Sequence, residues 1–242
     1  AWALLRHERA RSAGEAVELL KQCLSARPSW VSARVILGSA QEAAGALAEA
    51  ADAYRAAITQ KPELAADTVA VRLVEVLKKL GQFGEADAVL GPLSAALPDS
   101  PDVLRLEMDK QLRNRRVASA AAVAERLLEL RGDDPAWAGV TADLQLRAGN
   151  AAKAEQIARS ALRQHPDSTP LMASIARAMI AQGHGDEAEA LVKDFSNTRA
   201  DGASHLLLAQ VLMYLNKPTD AEHAIAAAIQ HAKFPMRLFQ AE

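Results

Sequence analysis

A short segment ending in alanine recurs along this chain at nearly constant spacing, and that period constrains the fold more than any other feature. The segment reads GALAEA from Gly45, GQFGEA from Gly81, GNAAKA from Gly149 and GHGDEA from Gly183. Weaker copies run from Arg115 to Ala120 and from Asn216 to Ala221. The closing alanines are Ala50, Ala86, Ala120, Ala154, Ala188 and Ala221, with separations of 36, 34, 34, 34 and 33 residues. Ala16 stands 34 residues before the first of them. A period of this length marks an array of small supersecondary units, each of which buries its apolar face only against a neighbour.

The residues between the marks fix the kind of unit. Pro28, Pro62, Pro98 and Pro166 follow helical stretches such as ADAYRAAITQ and AEQIARSALRQ. Proline stops a helix because it lacks an N–H and its ring clashes with the preceding turn. Glycine at the head of each segment suits the left-handed residue that ends a helix. Each unit therefore reads helix, tight turn, helix, stop, and two helices of about 14 residues with their turns fill the period. The units are 31–64, 65–100, 101–134, 135–168, 169–201 and 202–235. Residues 1–30 read as the end of an earlier first helix followed by a second helix. In the 31–64 unit the small residues Gly38, Ala50 and Ala57 fall where paired helices cross closely, and Leu37, Leu47, Tyr54 and Ile58 fill the gaps.

Leu37-Gly38, Ala50, Tyr54 and Pro62, at their spacing, resemble the tetratricopeptide repeat family. Arg34 and Gln41 stand where that family has aromatic residues in the first helix. The resemblance covers nearly the whole chain. It implies an all-α fold of helix-turn-helix repeats, stacked over 1–242 as a single right-handed superhelical solenoid. Three departures carry expectations of their own. Gly91-Pro92 predicts a kink or early break in the second helix of 65–100. The 101–134 unit lacks its turn glycine. The 169–201 unit loses its proline and ends in SNTRADG, which predicts a short second helix. Phe234 to Phe239 looks like the start of a further first helix over 236–242. The opening of the chain in mid-pattern and the apolar residues at its end read as a fragment of a larger protein, and the Ala/Arg/Leu-rich repeats look bacterial.

Little in the sequence points to catalysis. The 28 basic and 30 acidic residues nearly cancel, which argues against bulk attraction to nucleic acid or anionic membrane. Cys23 is the only cysteine, so no internal disulfide forms; aligned with Ala57, it is expected to be buried. No stretch reaches the roughly 20 apolar residues of a membrane span, and residues 1–10 are too charged for a signal peptide. The compartment is left open between a bacterial periplasm and cytoplasm. No His/Cys cluster has metal-ligand spacing. His184 reads as a solvated turn residue and His205 as a packed one. No nucleophile elbow or phosphate loop is present, and Glu125 and Glu129 read as exposed helix-face residues. No catalytic residue, metal or cofactor is expected.

The resemblance implies a binding surface instead. First helices of such repeats line a continuous groove. In that register the groove residues are Lys78, Lys79, Arg105, Asp109, Arg113, Asp143, Arg147, Arg177, Leu206, Gln210, Met213 and Tyr214. The middle is charged with both signs, and the C-terminal end is apolar. A competing reading pairs Arg105, Asp109 and Arg113 within their own helix. The family's Lys/Asn/Arg carboxylate clamp for chaperone tails is absent, since Val35 and Ser39 occupy its first-unit positions. The expected function is a non-catalytic scaffold for a protein or peptide partner, in the style of repeat domains of bacterial envelope assembly such as exopolysaccharide secretion or pilus biogenesis. The alternatives are a substrate-recruiting arm of an enzyme whose catalytic domain lies elsewhere, and self-association through end helices.

Overall fold

The computed structural model describes residues 2–66, 68–132 and 134–231, and these are helical with short connections. The expected further helix at 236–242 lies outside the described residues. Contacts divide the chain into two compact units, 1–114 and 115–242.

The first unit holds α1 (Trp2–Ala26), α2 (Val31–Ala44), α3 (Leu47–Gln60), a 3-10 turn (Pro62–Ala66), α4 (Thr68–Lys79), α5 (Phe83–Ala96) and α6 (Pro101–Arg113). The second holds α7 (Val117–Arg131), α8 (Pro135–Arg147), α9 (Ala151–Gln164), α10 (Thr169–Ala181), α11 (Gly185–Arg199), α12 (Gly202–Tyr214) and α13 (Pro218–His231). Among the described residues no strand occurs. Sequential helices pack on one another within each unit.

The turn inside each repeat has one conformation. Gly45, Gly81, Gly149 and Gly183 have φ of 83°, 74°, 87° and 86°. Arg115 and Asn216 take the same place at φ 57° and 59°, so the turn forms even where its glycine is missing. The residue after the turn closes it by donating back into the first helix, as from Ala46 N to Gln41 O at 2.8 Å and from His184 N to Met179 O at 2.9 Å. These bonds satisfy carbonyls that a helix end leaves orphaned. The helices α6 and α8 start on prolines, Pro101 and Pro135, and α12 starts on a side-chain cap: the Asp201 carboxylate accepts from Ser204 N at 2.8 Å.

Small residues set the crossings. Ala50, Ala86, Ala120, Ala154, Ala188 and Ala221 are all buried, none more than 1% exposed. A Cβ on Gly38 would come within 2.7 Å of the Tyr54 ring, so α2 and α3 meet there only because the side chain is absent. One core gathers around Tyr54, Leu73, Leu90 and Leu106, and another around Ile175, Val192, Leu207 and Val211.

Four expectations fail. Residues 2–26 form one helix, not the end of one and the whole of another; Gly14 is tolerated inside it, since a helical glycine costs only about 1 kcal/mol. The helix α5 runs through Pro92 to Ala96, so the early break expected there does not occur. Proline's ring clashes with the Cβ of the residue before it, and Gly91 has none; buried Leu90 and Leu93 hold both sides down. The helix α11 is 15 residues long rather than short. Without a proline nothing stops it until Ala200 turns left-handed at φ 47°. Cys23 is exposed, because α1 meets α2 through Val17, Leu20 and Leu24 instead.

Candidate partner-binding surface

The charged residues expected in a groove are mostly engaged with one another, and across helices rather than within them. In the first unit Glu42 of α2 accepts from Lys79 of α4 at 2.7 Å and from Arg72 at 3.5 Å. Glu75 of α4 pairs with Arg105 of α6. Lys78 of α4 pairs with Asp109 of α6 at 2.5 Å. First helices are thus laced in sequence, α2 to α4 to α6. Pairs this exposed contribute roughly 0–1 kcal/mol each. The reading that kept Arg105, Asp109 and Arg113 paired within α6 does not hold. Opposite charges one repeat apart on facing helices meet more directly than neighbours on one helix.

Arg113 is drawn away from the other first-helix residues. It donates to Asp87 of α5 at 2.6 Å, and its guanidinium lies 4.5 Å from the centre of the Phe83 ring. Its role in the packing of α6 on α5 accounts for its charge.

The second unit differs. Arg177 of α10 donates to Asp143 of α8 at 3.1 Å, and its other bonds go to Ala173 O and Ser174 Oγ on its own helix, both at 3.4 Å. Arg147, at the end of α8, is exposed, with no ion-pair partner among the described residues. Leu146, Arg177, Ile180, Ala181 and Tyr214 line an open slot of about 230 Å³, and Arg147 follows Leu146 in the chain without lining it. Leu206, Gln210, Met213 and Tyr214, the expected apolar end, come together with Ala209 and Ile225 around a second slot of about 450 Å³. Leu206, Met213 and Tyr214 are 50%, 59% and 71% exposed. Tyr214 borders both slots.

Two features escaped the sequence. Second-helix carboxylates reach the neighbouring repeat: Glu125, read as an exposed helix-face residue, meets Lys153 of α9 at 2.5 Å, and Glu189 meets Lys217, in the turn before α13, at 2.6 Å. Glu155 accepts from Arg159 and from Gln182, each at 2.6 Å. Burial raises the Glu155 carboxyl, yet those hydrogen bonds outweigh it and hold it below its ordinary value. The other feature is His205, which stacks on His231 with ring centres 5.0 Å apart. Glu125, Leu128, Lys153 and Ile157 line a further open groove of about 410 Å³, on the second-helix side. Among the described residues no group of three or more His, Cys, Asp or Glu could hold a metal, and no helix is long and apolar enough to cross a membrane.

Comparison with known proteins settles the family. One tetratricopeptide repeat model matches residues 41–109 and 145–211, and a second matches 1–65 and 109–169. The chain belongs to the tetratricopeptide repeat family. No curated protein matches it. Among solved structures it is similar to the C-terminal part of a tetratricopeptide repeat protein from Cytophaga hutchinsonii. The TM-score is 0.73 at 14% identity, covering 96% of this chain and 98% of the other. A tetratricopeptide repeat protein from Parabacteroides merdae gives 0.57 at 16% identity over 96% and 95%. At such identity the likeness is one of fold. Tetratricopeptide repeats indicate a protein-protein interaction scaffold, and that much describes this chain.

Proposed function

We propose that this tetratricopeptide scaffold is non-catalytic and holds a partner's extended segment along the first helices α8, α10 and α12. The observation that carries the reading is the contrast in ion pairing between first-helix residues. Lys78, Lys79, Arg105 and Arg113 are each committed to a carboxylate. Arg147 is not, and Arg177 shares one exposed pair beside an apolar slot that ends on Tyr214. Arginine and tyrosine are the residue types that dominate binding energy at interfaces, and a guanidinium can hold a carboxylate through two parallel bonds. The segment that fits carries an acidic side chain or terminal carboxylate for Arg147 and Arg177, and an apolar side chain for the slot at Ile180 and Tyr214.

Selection from a random peptide library, followed by calorimetry, tests this. Selected peptides should pair an acidic residue with an apolar one. Arg147→Glu with Tyr214→Ala should weaken them at least about tenfold, or 1.4 kcal/mol, with the circular dichroism spectrum unchanged. Peptides that bind the double variant as tightly as the parent would place the site elsewhere. The setting we propose is bacterial envelope assembly, such as exopolysaccharide secretion or pilus biogenesis, on the strength of the Ala/Arg/Leu-rich repeat style. A deletion strain with normal surface polysaccharide and pili would remove that part of the reading.

A further inference from the structure

The residue seven places after each closing alanine shows a place left unfilled beside α9. Ala57, Leu93, Leu127 and Ala228 hold that place at 3% exposure or less. Ala161 of α9 is only half-buried, and it lines the open groove of about 410 Å³ that α7 and α9 form. Phe195 of α11 holds the same place one repeat later, and it packs against the core together with Leu191. The Arg199 guanidinium lies 5.6 Å from the centre of the Phe195 ring, and it reaches Asp167 at 3.0 Å and Asp201 at 2.7 Å. Where α11 supplies an aromatic ring with a cation held on carboxylates, α9 supplies a methyl group.

We propose that this groove, on the second-helix side, is a further partner site for a segment that carries an aromatic side chain beside an arginine. The groove holds the matching chemistry. Leu128, Ile157 and Ala161 are its half-buried apolar lining, and its volume falls in the range of about 300–1,000 Å³ that ligand pockets occupy. Three carboxylates, Glu125, Glu129 and Asp134, line it against one ammonium, Lys153. Glu125 is bound to Lys153 and Asp134 caps α8. Glu129 is exposed, with no ion-pair partner among the described residues, so it is the carboxylate that an incoming guanidinium meets through two parallel bonds. The arginine stem and the ring then take water off the apolar lining. Gln156, Ser160 and Gln164, exposed along α9, offer hydrogen bonds to a backbone over about 12 Å, the length of about four extended residues. The segment is opposite in charge to the one proposed for Arg147 and Arg177, so neither reading depends on the other.

Amide NMR of the full chain with a short blocked peptide, an arginine next to a phenylalanine between glycines, tests the site. Millimolar peptide should shift the amides of Gly132, Ile157 and Ser160 and leave those of α10 and α12 unmoved. Replacing its phenylalanine by alanine, or its arginine by glutamate, should weaken binding at least about tenfold. Ala161→Phe, which fills the groove as Phe195 does in the next repeat, should abolish the shifts. Glu129→Lys changes an exposed position, so the fold stays intact, and it should weaken binding at least about fivefold. Unmoved groove amides overturn the proposal. So do shifts that either variant keeps in full, and so do shifts confined to Ile180 and Tyr214, which belong to the first-helix slots.

Discussion

Arg177 of α10 and Asp143 of α8 are 34 positions apart and meet at 3.1 Å, so one turn of the repeat converts a sequence interval into a contact. The pair is 43% and 38% exposed, which limits its value. A double-mutant cycle with Asp143→Asn and Arg177→Gln, read by urea unfolding, should give a coupling of about 0.2–1 kcal/mol. It should fade in 1 M salt, where charges are screened within about 3 Å. A coupling that ignores salt would mean that the pair acts through packing.

Overpacking should be felt at the closing alanines and not beside them. Ala188→Leu forces three extra carbons into a crossing that is fully buried, at a cost of roughly 1–3 kcal/mol. Ala190→Leu makes the same change at an exposed position on α11 and should shift stability by less than about 0.5 kcal/mol. Chemical denaturation of the two variants measures the difference.

The turn without a glycine holds a correctable strain. Arg115 sits at φ 57°, where an L side chain costs roughly 1–2 kcal/mol. Arg115→Gly should stabilise the fold by up to about 1 kcal/mol, the remainder going to added freedom in the unfolded chain. Gly149→Ala, at φ 87°, should destabilise it. The two changes in unfolding midpoint should have opposite signs.

The repeat was legible because its marks are local. A left-handed turn, a proline stop and a small residue at a crossing each restrict one position, whatever lies far away. Pro92 was misread because its consequence depends on the missing Cβ of Gly91, a relation between two residues that single-residue rules treat as two breakers. The partners of Arg105 and Lys78 had a signal in the sequence: Glu75 and Asp109 lie 30 and 31 positions away, close to one period. Arg113 had none, since Asp87 is 26 positions back on a second helix. The exposure of Cys23 depends on which face of α1 meets α2, and the residue's type does not encode that.

Acid should act first through two carboxylates. The backbone N–H of Ser204 and the side chain of Arg199 hold Asp201 below its ordinary value of 3.8, and Glu155 is lowered from 4.5. A depressed folded value gives stability that is fully present above the unfolded value and is lost as pH falls through the folded one. Asp201→Ala should therefore cost about 0.5–2 kcal/mol near neutrality, the usual worth of an N-cap. The gap to the parent should close below about pH 4. Denaturant titrations at pH 7, 5 and 3 check it, and a gap that stays constant would show that the carboxylate charge is not involved.

Among the described residues, helices pack chiefly on their near neighbours along the chain, and this has a kinetic meaning. Few long loops must close before favourable contacts form, which is the condition for rapid folding. The same locality weakens cooperativity. The cores centred on Leu73 and on Ile175 are each built from helices close together in the chain, so each can unravel from an end inward. Pulled at its termini, such a chain should yield in small steps and rewind as the load is released, behaving more like a spring than a latch.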